Sequence, residues 1–307
     1  MSKPTFDPGF TQQVSGVLRR AINKDGTFNV RRRQAGWRDF HPYLYIINMS
    51  WPAFIAAVFL AYFVVNTAFA AIYMMLGPAA LQGTDAQTEW GRFLNSFFFS
   101  AHTLTTVGYG TLAPRGTAAN LLAALEALLG LMGFAVATGL LFGRVSRPSA
   151  RIGFSDKMLV TKYQDGNSLQ FRIANLRPNV LMDIEASVLL MTVEGPPAKA
   201  IRRYHRLALE REKVHFLPLT WTIVHPIDEA SPMRGFTPSD LDTLQAEFLI
   251  LIKGYDDTFS QTVHSRSSYR YDELIWGAKF TSAFSLDASG DVVLDLDKLS
   301  AMTVADL

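Results

Sequence analysis

The stretch Thr106-Val107-Gly108-Tyr109-Gly110 decides how this chain of 307 residues is interpreted. It directly follows a short apolar segment, Phe93 to Leu104, and both stand between two much longer apolar segments. A segment of about a dozen residues is too short to cross a bilayer, but it can form a half-helix that enters the membrane and turns back. The order of span, half-helix, glycine-containing loop and span predicts a membrane protein with a re-entrant loop.

The two longer segments are Trp51 to Met75 and Thr117 to Phe142. The first contains no charged side chain, and about 20 apolar residues are enough to span a bilayer as a helix. The second is rich in small residues, which let membrane helices pack closely or bend. We therefore name Gly130 and Gly133 as candidate hinges, with simple helix packing as the alternative interpretation.

Charge sets the expected orientation. Lysine and arginine cluster before the first span and after the second, whereas only Arg92 and Arg115 lie between the spans. The positive-inside rule then places both termini in the cytoplasm. The polar, basic start of the chain shows no cleavable signal peptide, and the chain has no cysteine for a disulfide or a thiolate metal site.

Charge also divides the chain into three parts. We predict a mostly flexible arm over residues 1 to 35, a surface helix and pore domain over 36 to 148, and a soluble domain over 149 to 307. Aromatic and charged residues mix from Trp37 to Tyr45, which is typical of a helix lying on the membrane surface. From Ile152, short strands separated by turn residues predict a β-sandwich. The candidate strands are Met158 to Lys162, Leu169 to Ile173, Ala186 to Val193, Leu219 to Val224 and Glu247 to Ile252.

The glycine-containing loop has the chemistry of a potassium filter. A potassium ion entering a narrow pore must exchange its water for rings of backbone carbonyls, one set from each of four loops. Alternate residues must then adopt dihedral angles that favour glycine, which suits Gly108 and Gly110. The predicted ligands are the backbone carbonyls of Thr106, Val107, Gly108 and Tyr109, and the transported ion is K+.

The second span supplies the predicted pore lining. At 100° per residue, Phe134, Thr138 and Phe142 fall on one face, and Phe142 is the last bulky apolar residue before the charged end. We take Phe142 as the closed gate. Glu126 lies off that face, so we expect a hydrogen-bonded acid that supports the filter; a direct ion site is the alternative.

At this point the chain resembles a known family, the prokaryotic inward-rectifier potassium channels of the KirBac type. The resemblance covers residues 37 to 298 and implies a two-span tetramer on a cytoplasmic, immunoglobulin-like β-sandwich. The matching stretches are Phe97-Phe98-Phe99-Ser100 with the filter, Arg147-Pro148, Leu219 to Asp228 with Ser231-Pro232, Arg266 to Tyr269, and Asp272 to Gly277.

The resemblance also implies partners and regulatory sites. The partners are three identical subunits and anionic lipids, in a bacterial inner membrane crossed more than once. Arg38, Arg147 and Arg151 are the expected lipid-binding residues, although positive charge there is equally explained by topology alone. A second constriction is implied at the apex of the soluble domain, at Phe259, Ser260, Gln261 and Thr262. No enzyme active site, nucleic-acid partner or soluble substrate is expected.

Three positions depart from the family pattern. His102, which we assign to filter support, stands where many relatives carry Glu or Gln, and Thr111 stands where Asp is common. Phe134 occupies the place of an acidic residue in strong eukaryotic rectifiers. Strong rectification by polyamine block is therefore not expected.

The sequence argues against two other function classes. A potassium channel with a nucleotide-binding regulator should show a glycine-rich strand-turn-helix fingerprint, and none follows Arg151. A two-span receptor or adhesion protein would explain the sandwich, but it would not explain a half-helix followed by this loop.

Overall fold

A computed structural model describes residues 9–10, 13–14, 20–30, 41–84, 86–146, 150–196 and 200–307 of the chain. The chain divides into two compact units. One comprises residues 34–147, and the other comprises residues 1–33 together with 148–307. The first is called the helical unit and the second the β unit.

The helical unit contains four helices: α1 (Pro42–Asn48), α2 (Trp51–Met75), α3 (Glu89–Leu104) and α4 (Gly116–Val145). Helix α2 has the bounds predicted for the first span, and α4 extends beyond the second prediction at both ends. The half-helix α3 begins earlier than predicted because Thr88 caps it, accepting a hydrogen bond at 3.1 Å from the backbone N–H of Gly91. A two-stranded pair, β2 (Leu81–Gln82) with β3 (Ala113–Pro114), joins the segments that flank α3 and its loop.

Helices α2 and α4 are long and apolar enough to cross a membrane. A small core of Phe69, Tyr73, Leu81 and Phe99 packs α2 against α3. Most of the remaining apolar side chains of α2 and α4 are exposed in the single chain. Exposed apolar helices of this kind suit an environment of lipid or of neighbouring helices.

The β unit is a sandwich of two sheets, as the sequence predicted. Its strands are β1 (Gln13–Val14), β4 (Ile152–Phe154), β5 (Met158–Tyr163), β6 (Gly166–Asn175), β7 (Leu181–Glu194), β8 (Ala200–Leu207), β9 (Lys213–Phe216), β10 (Thr220–Ile227), β11 (Glu247–Asp256), β12 (Gln261–Arg270) and β13 (Leu274–Trp276). One sheet has the strand order β1-β8-β7-β11-β12, with β9 added beside β7. The other has the order β10-β6-β5-β13, with β4 added beside β6.

The core of the sandwich follows from alternation along its strands. Ile184, Ala186, Val188 and Leu190 of β7 point inward at every second residue and are buried. They meet residues such as Phe171 of the opposite sheet in one apolar cluster. The predicted strands are confirmed, and each lies within a longer or slightly shifted strand. Smaller elements complete the unit: α5 (Pro238–Thr243), β14 (Ala278–Phe280), β15 (Phe284–Leu286), β16 (Val292–Leu294) and β17 (Met302–Val304).

Part of the arm departs from the flexible chain that we predicted. Within residues 20–30, Ala21 and Ile22 are buried, and both backbone N–H groups donate to the carboxylate of Glu247. Arg20 forms an ion pair with Glu273. The arm shows little periodicity, which suggested flexibility, but its partners lie more than 220 residues away, where no local pattern can reveal them.

Candidate functional site

The loop after α3 alternates in backbone conformation. Thr106, Gly108 and Gly110 have φ angles of 61°, 56° and 80°, whereas Val107 and Tyr109 are not among the residues with positive φ. Glycine adopts this left-handed region at little cost, but threonine does not. The alternation predicted from the sequence is therefore present, and Thr106 extends it by one residue towards the half-helix.

Hydrogen bonds orient the carbonyl groups of this loop. The backbone N–H groups of Val107 and Gly108 donate to the carbonyl of His102, at 2.9 and 3.2 Å. In a trans peptide the C=O points opposite to the N–H of the same plane, and the described chain contains no cis peptide bond. The carbonyls of Thr106 and Val107 must therefore point away from the half-helix.

The end of α3 explains why the loop folds back on it. The last carbonyls of a helix have no partner within the helix. Here the Thr106 N–H donates to Thr103 at 3.0 Å, and the Thr105 hydroxyl donates to Ala101 at 2.6 Å. The loop thus satisfies the helix terminus, while the negative end of the helix dipole lies beside it and favours a cation.

His102 lies on the last turn of α3, at the side of the loop. Its ring meets the ring of Tyr109 edge-to-face, with centroids 4.7 Å apart. Such pairs add about 0.5–1.5 kcal/mol beyond burial. His102 is therefore placed to hold the loop at Tyr109 by a ring contact.

Glu126 is fully buried in the single chain. Its carboxyl group accepts a hydrogen bond at 2.8 Å from the hydroxyl of Tyr73 on α2, and it contacts the hydroxyl of Ser100 on α3. Glu126 therefore joins all three long helices behind the loop. This placement favours filter support over an ion site in the open cavity.

The two candidate hinge glycines have different surroundings. A Cβ at Gly130 would overlap the carbonyl oxygen of Leu104, whereas a Cβ at Gly133 would meet nothing within 4 Å. Gly130 is thus a position of close approach between α4 and the end of α3. Of the two, only Gly133 has open space at the position of a Cβ, and its role as a hinge stays a prediction.

The predicted pore-lining residues are all on the open surface of α4. Phe134 and Phe142 are 73% and 71% exposed, and Thr138 is also exposed. Exposure does not single out this face, because α4 has exposed apolar residues on other faces too, such as Leu121. The pore face therefore remains a prediction from helical periodicity.

Arg144, next to the last residue of α4, is a site that the sequence did not indicate. Its guanidinium donates to the carbonyls of Ile46 and Ile47 at the end of α1 and to that of Met49, at 2.6–2.9 Å. It also stacks on the ring of Trp51 at 4.8 Å. In the sequence, Arg144 is one of the basic residues after the second span, and a basic residue near a span does not reveal partners that lie more than 90 residues earlier.

The predicted lipid-binding residues are placed only in part. Arg38 and Arg147 lie outside the described residues. Arg151 is exposed at the start of the β unit, and its carbonyl accepts a hydrogen bond from Leu176 at 2.8 Å.

The comparisons with known proteins decide the family. Residues 152–306 match the model for the inward rectifier potassium channel C-terminal domain, and residues 53–147 match the ion channel model. The inward rectifier potassium channel Kirbac3.1 of Paramagnetospirillum magnetotacticum is 38% identical over 91% of this chain and 94% of its own length. This chain belongs to the inward rectifier potassium channel family.

Less similar relatives include eukaryotic channels. G protein-activated inward rectifier potassium channel 3 of Homo sapiens is 28% identical over 87% of this chain and 74% of its own length. ATP-sensitive inward rectifier potassium channel 10 of Mus musculus is 27% identical over 96% and 82%. The family makes the protein a membrane protein and an ion channel, and it excludes an enzyme and a two-span receptor.

The residues predicted to form a second constriction, Phe259 to Thr262, lie in the turn after β11 and at the start of β12. Asp256 organises this turn, since its carboxylate accepts from the backbone N–H of Thr258 at 3.0 Å and from the side chain of Asn179 at 2.9 Å. Ser260 has a φ of 51°. The buried acid Asp256 holds the turn that contains Phe259 and Ser260, and Gln261 and Thr262 begin β12.

Proposed function

We propose that four copies of this chain form a potassium-selective pore at their Thr106–Gly110 loops. The supporting observation is the direction of the Thr106 and Val107 carbonyls, away from the half-helix that carries them. One chain offers one such loop, and a ring of ligands around an ion needs several. The Gly108 and Tyr109 carbonyls would complete the ligand rings.

Two barriers would control this pore. Phe142 is the proposed gate in the membrane, because four phenyl rings at a helix crossing can stop ions by excluding water. The segment from Phe259 to Thr262 is the proposed constriction in the β unit. We place both termini and the β unit in the cytoplasm of a bacterium, on the strength of the charge asymmetry around the spans.

Anionic lipids of the inner leaflet are the proposed regulators. Arg38, Arg147 and Arg151 flank the spans in sequence, and a basic residue near an anionic membrane surface contributes about 1 kcal/mol of attraction. Strong rectification by polyamines is not proposed, because Phe134 offers no acidic site for them.

Flux from purified protein tests the proposal. The chain is reconstituted into liposomes, and uptake of radioactive rubidium is measured against empty liposomes, with sodium or potassium as competitor. We expect uptake that potassium suppresses and sodium does not. Equal suppression by both cations would refute the potassium filter, and a non-tetrameric species after cross-linking would refute the fourfold assembly.

Lipid composition provides a second arm of the same assay. Uptake is compared in liposomes with increasing fractions of anionic lipid, for the parent, Arg151→Gln, Arg147→Gln and the control Arg211→Gln, an exposed arginine of the β unit. A response that is flattened in Arg151→Gln and Arg147→Gln but unchanged in Arg211→Gln supports lipid sensing. A parent-like response in all variants excludes both arginines from it.

A further inference from the structure

Four polar side chains from three helices meet behind the loop. Asn66 and Tyr73 come from α2, Ser100 from α3 and Glu126 from α4, and each is at most 1% exposed. We call these residues the buried cluster. The placement of Glu126 favours filter support, but that role leaves open its protonation state and the atoms through which it acts.

Asn66 sets the direction of the hydrogen bonds in the buried cluster. Its side-chain NH2 donates to the carbonyl of Tyr62 at 2.7 Å, and its Oδ1 lies 2.9 Å from the Ser100 hydroxyl. Exchanging the amide oxygen and nitrogen would place two acceptors against each other at Tyr62. Asn66 Oδ1 must therefore accept the one proton of the Ser100 hydroxyl.

The remaining contacts then determine where a further proton lies. With its own proton directed to Asn66, Ser100 can only accept in its contact with Glu126 Oε1. The other carboxyl oxygen, Oε2, accepts from the Tyr73 hydroxyl at 2.8 Å. A donor for the Ser100 contact is present only if the carboxyl group carries a proton on Oε1.

The surroundings agree with a neutral group. In the described part of the chain, no basic side chain lies within ion-pair distance of Glu126. The ring of Phe99 packs edge-to-face on Tyr73 at 5.1 Å, so one wall of the buried cluster is apolar. An ionised carboxylate without a cationic partner is costly in such a place.

We infer that Glu126 is a neutral carboxylic acid that donates a hydrogen bond to Ser100 and so acts as a positioning residue for the filter. Ser100 lies two residues before His102, whose carbonyl holds the N–H groups of Val107 and Gly108. The contact thereby ties α4 to the turn that orients the filter carbonyls, without placing a negative charge behind them. This inference rests on the proposed function for its role in conduction, but the protonation state stands apart from it.

Three variants at position 126 test the donor. Glutamine has a carbonyl oxygen in place of the C=O of the neutral acid and an NH2 group in place of its O–H, so it can make both hydrogen bonds. Glu126→Gln should therefore keep tetramers and selective flux near the parent level. Glu126→Leu should lower flux about tenfold or more, because it leaves the buried hydroxyl of Tyr73 without its acceptor and removes the donor to Ser100. Glu126→Asp keeps the charge option but shortens the reach, and it should fall below Glu126→Gln. Loss of potassium selectivity in Glu126→Gln with retention in Glu126→Asp would overturn the inference.

Infrared spectroscopy reads the proton without any flux. The difference spectrum between the parent and Glu126→Gln at neutral pH should show the carbonyl band of a protonated carboxylic acid in the parent only. Carboxylate bands in its place would refute the neutral acid, even in a fully active channel. Failure of the flux assay together with a protonated band would instead refute the proposed function and leave the assignment of the proton intact. If Glu126→Gln does not assemble, Glu126→Leu, which also lacks a carboxyl group, provides the reference spectrum.

Discussion

Gly130 of α4 lies so close to the carbonyl oxygen of Leu104, the last residue of α3, that any side chain at position 130 would overlap this oxygen. Helix α4 and the half-helix α3 are therefore in backbone contact where α3 ends and the loop begins. Gly133, three residues further along α4, has open space around its Cα.

This difference predicts opposite outcomes for two alanine variants. Gly130→Ala should destabilise the assembled channel by about 1–3 kcal/mol and lower selective flux, because overpacking displaces α3. Gly133→Ala is the matched control and should be stable, since alanine favours a helix more than glycine does. Thermal denaturation of the detergent-solubilised protein measures both. Equal stability of the two variants would contradict the contact; a loss of gating in Gly133→Ala alone would identify that residue as the hinge.

Gly108 should not tolerate a side chain, for a reason of conformation and not of space. Its φ is 56°, and an added Cβ would meet nothing within 4 Å in the single chain. A left-handed conformation costs an alanine about 1–2 kcal/mol, repeated in each subunit. Gly108→Ala should therefore abolish potassium-selective rubidium uptake. Gly139→Ala, at an open helical position of α4, is the control; parent-like selectivity in Gly108→Ala would refute the carbonyl rings.

Phe142→Ala should raise resting flux, because the variant removes the proposed hydrophobic barrier. Rubidium uptake is measured under conditions that keep the parent closed. Leu141→Ala, the neighbouring position about 100° away around α4, should leave resting uptake unchanged. If uptake does not rise in an intact Phe142→Ala tetramer, Phe142 packs between helices and does not gate.

Arg144→Gln should loosen the end of α1, since three carbonyls lose a charged donor. Hydrogen exchange followed by mass spectrometry should show faster exchange over residues 42–49. Arg144→Lys should restore protection only in part, because an ammonium lacks the planar fork of a guanidinium. Arg92→Gln serves as a control at the other end of the helical unit. Unchanged exchange in Arg144→Gln would show that the contact contributes nothing to α1.

His225 predicts a pH dependence for the β unit. Burial lowers the pKa of His225, although the Ala208 carbonyl, which accepts from Nδ1 at 2.5 Å, and the nearby Asp228 favour the charged form. The neutral ring also accepts from the Ser231 hydroxyl at 2.8 Å. Because the folded pKa is below the unfolded one, this contribution to stability is complete above about pH 6.5 and is lost as the pH falls through the folded value.

The melting temperature of the β unit should therefore decrease between about pH 7.5 and pH 5.5, above the range in which most carboxylates titrate. His225→Gln should flatten this slope, whatever its effect on the melting temperature itself. His215→Gln, at an exposed histidine beside Asp183, is the control. A slope in His225→Gln equal to that of the parent would assign the pH dependence to other groups.

Local patterns were enough to predict the order of the elements and the alternating backbone conformation of the loop after α3. The bounds of α2 could be predicted from its stretch without charged residues. A lipid-facing helix must be apolar along its length and must form all of its backbone hydrogen bonds internally. The loop at Gly108 could be found because its conformation is encoded in the residues that adopt it. Strands such as β7 could be predicted in the same way, because buried and less buried residues alternate along most of their length.

The contacts that hold these elements together were decided only by tertiary structure. Glu126 stood out in the sequence as an acid within a span, but its partners Tyr73 and Ser100 lie 53 and 26 residues away. Arg144 looked like one topogenic charge among several, and its partners on α1 are almost 100 residues distant. Periodicity describes which way a side chain faces along one element, whereas a hydrogen bond between elements depends on how they pack, and packing is a property of the whole chain.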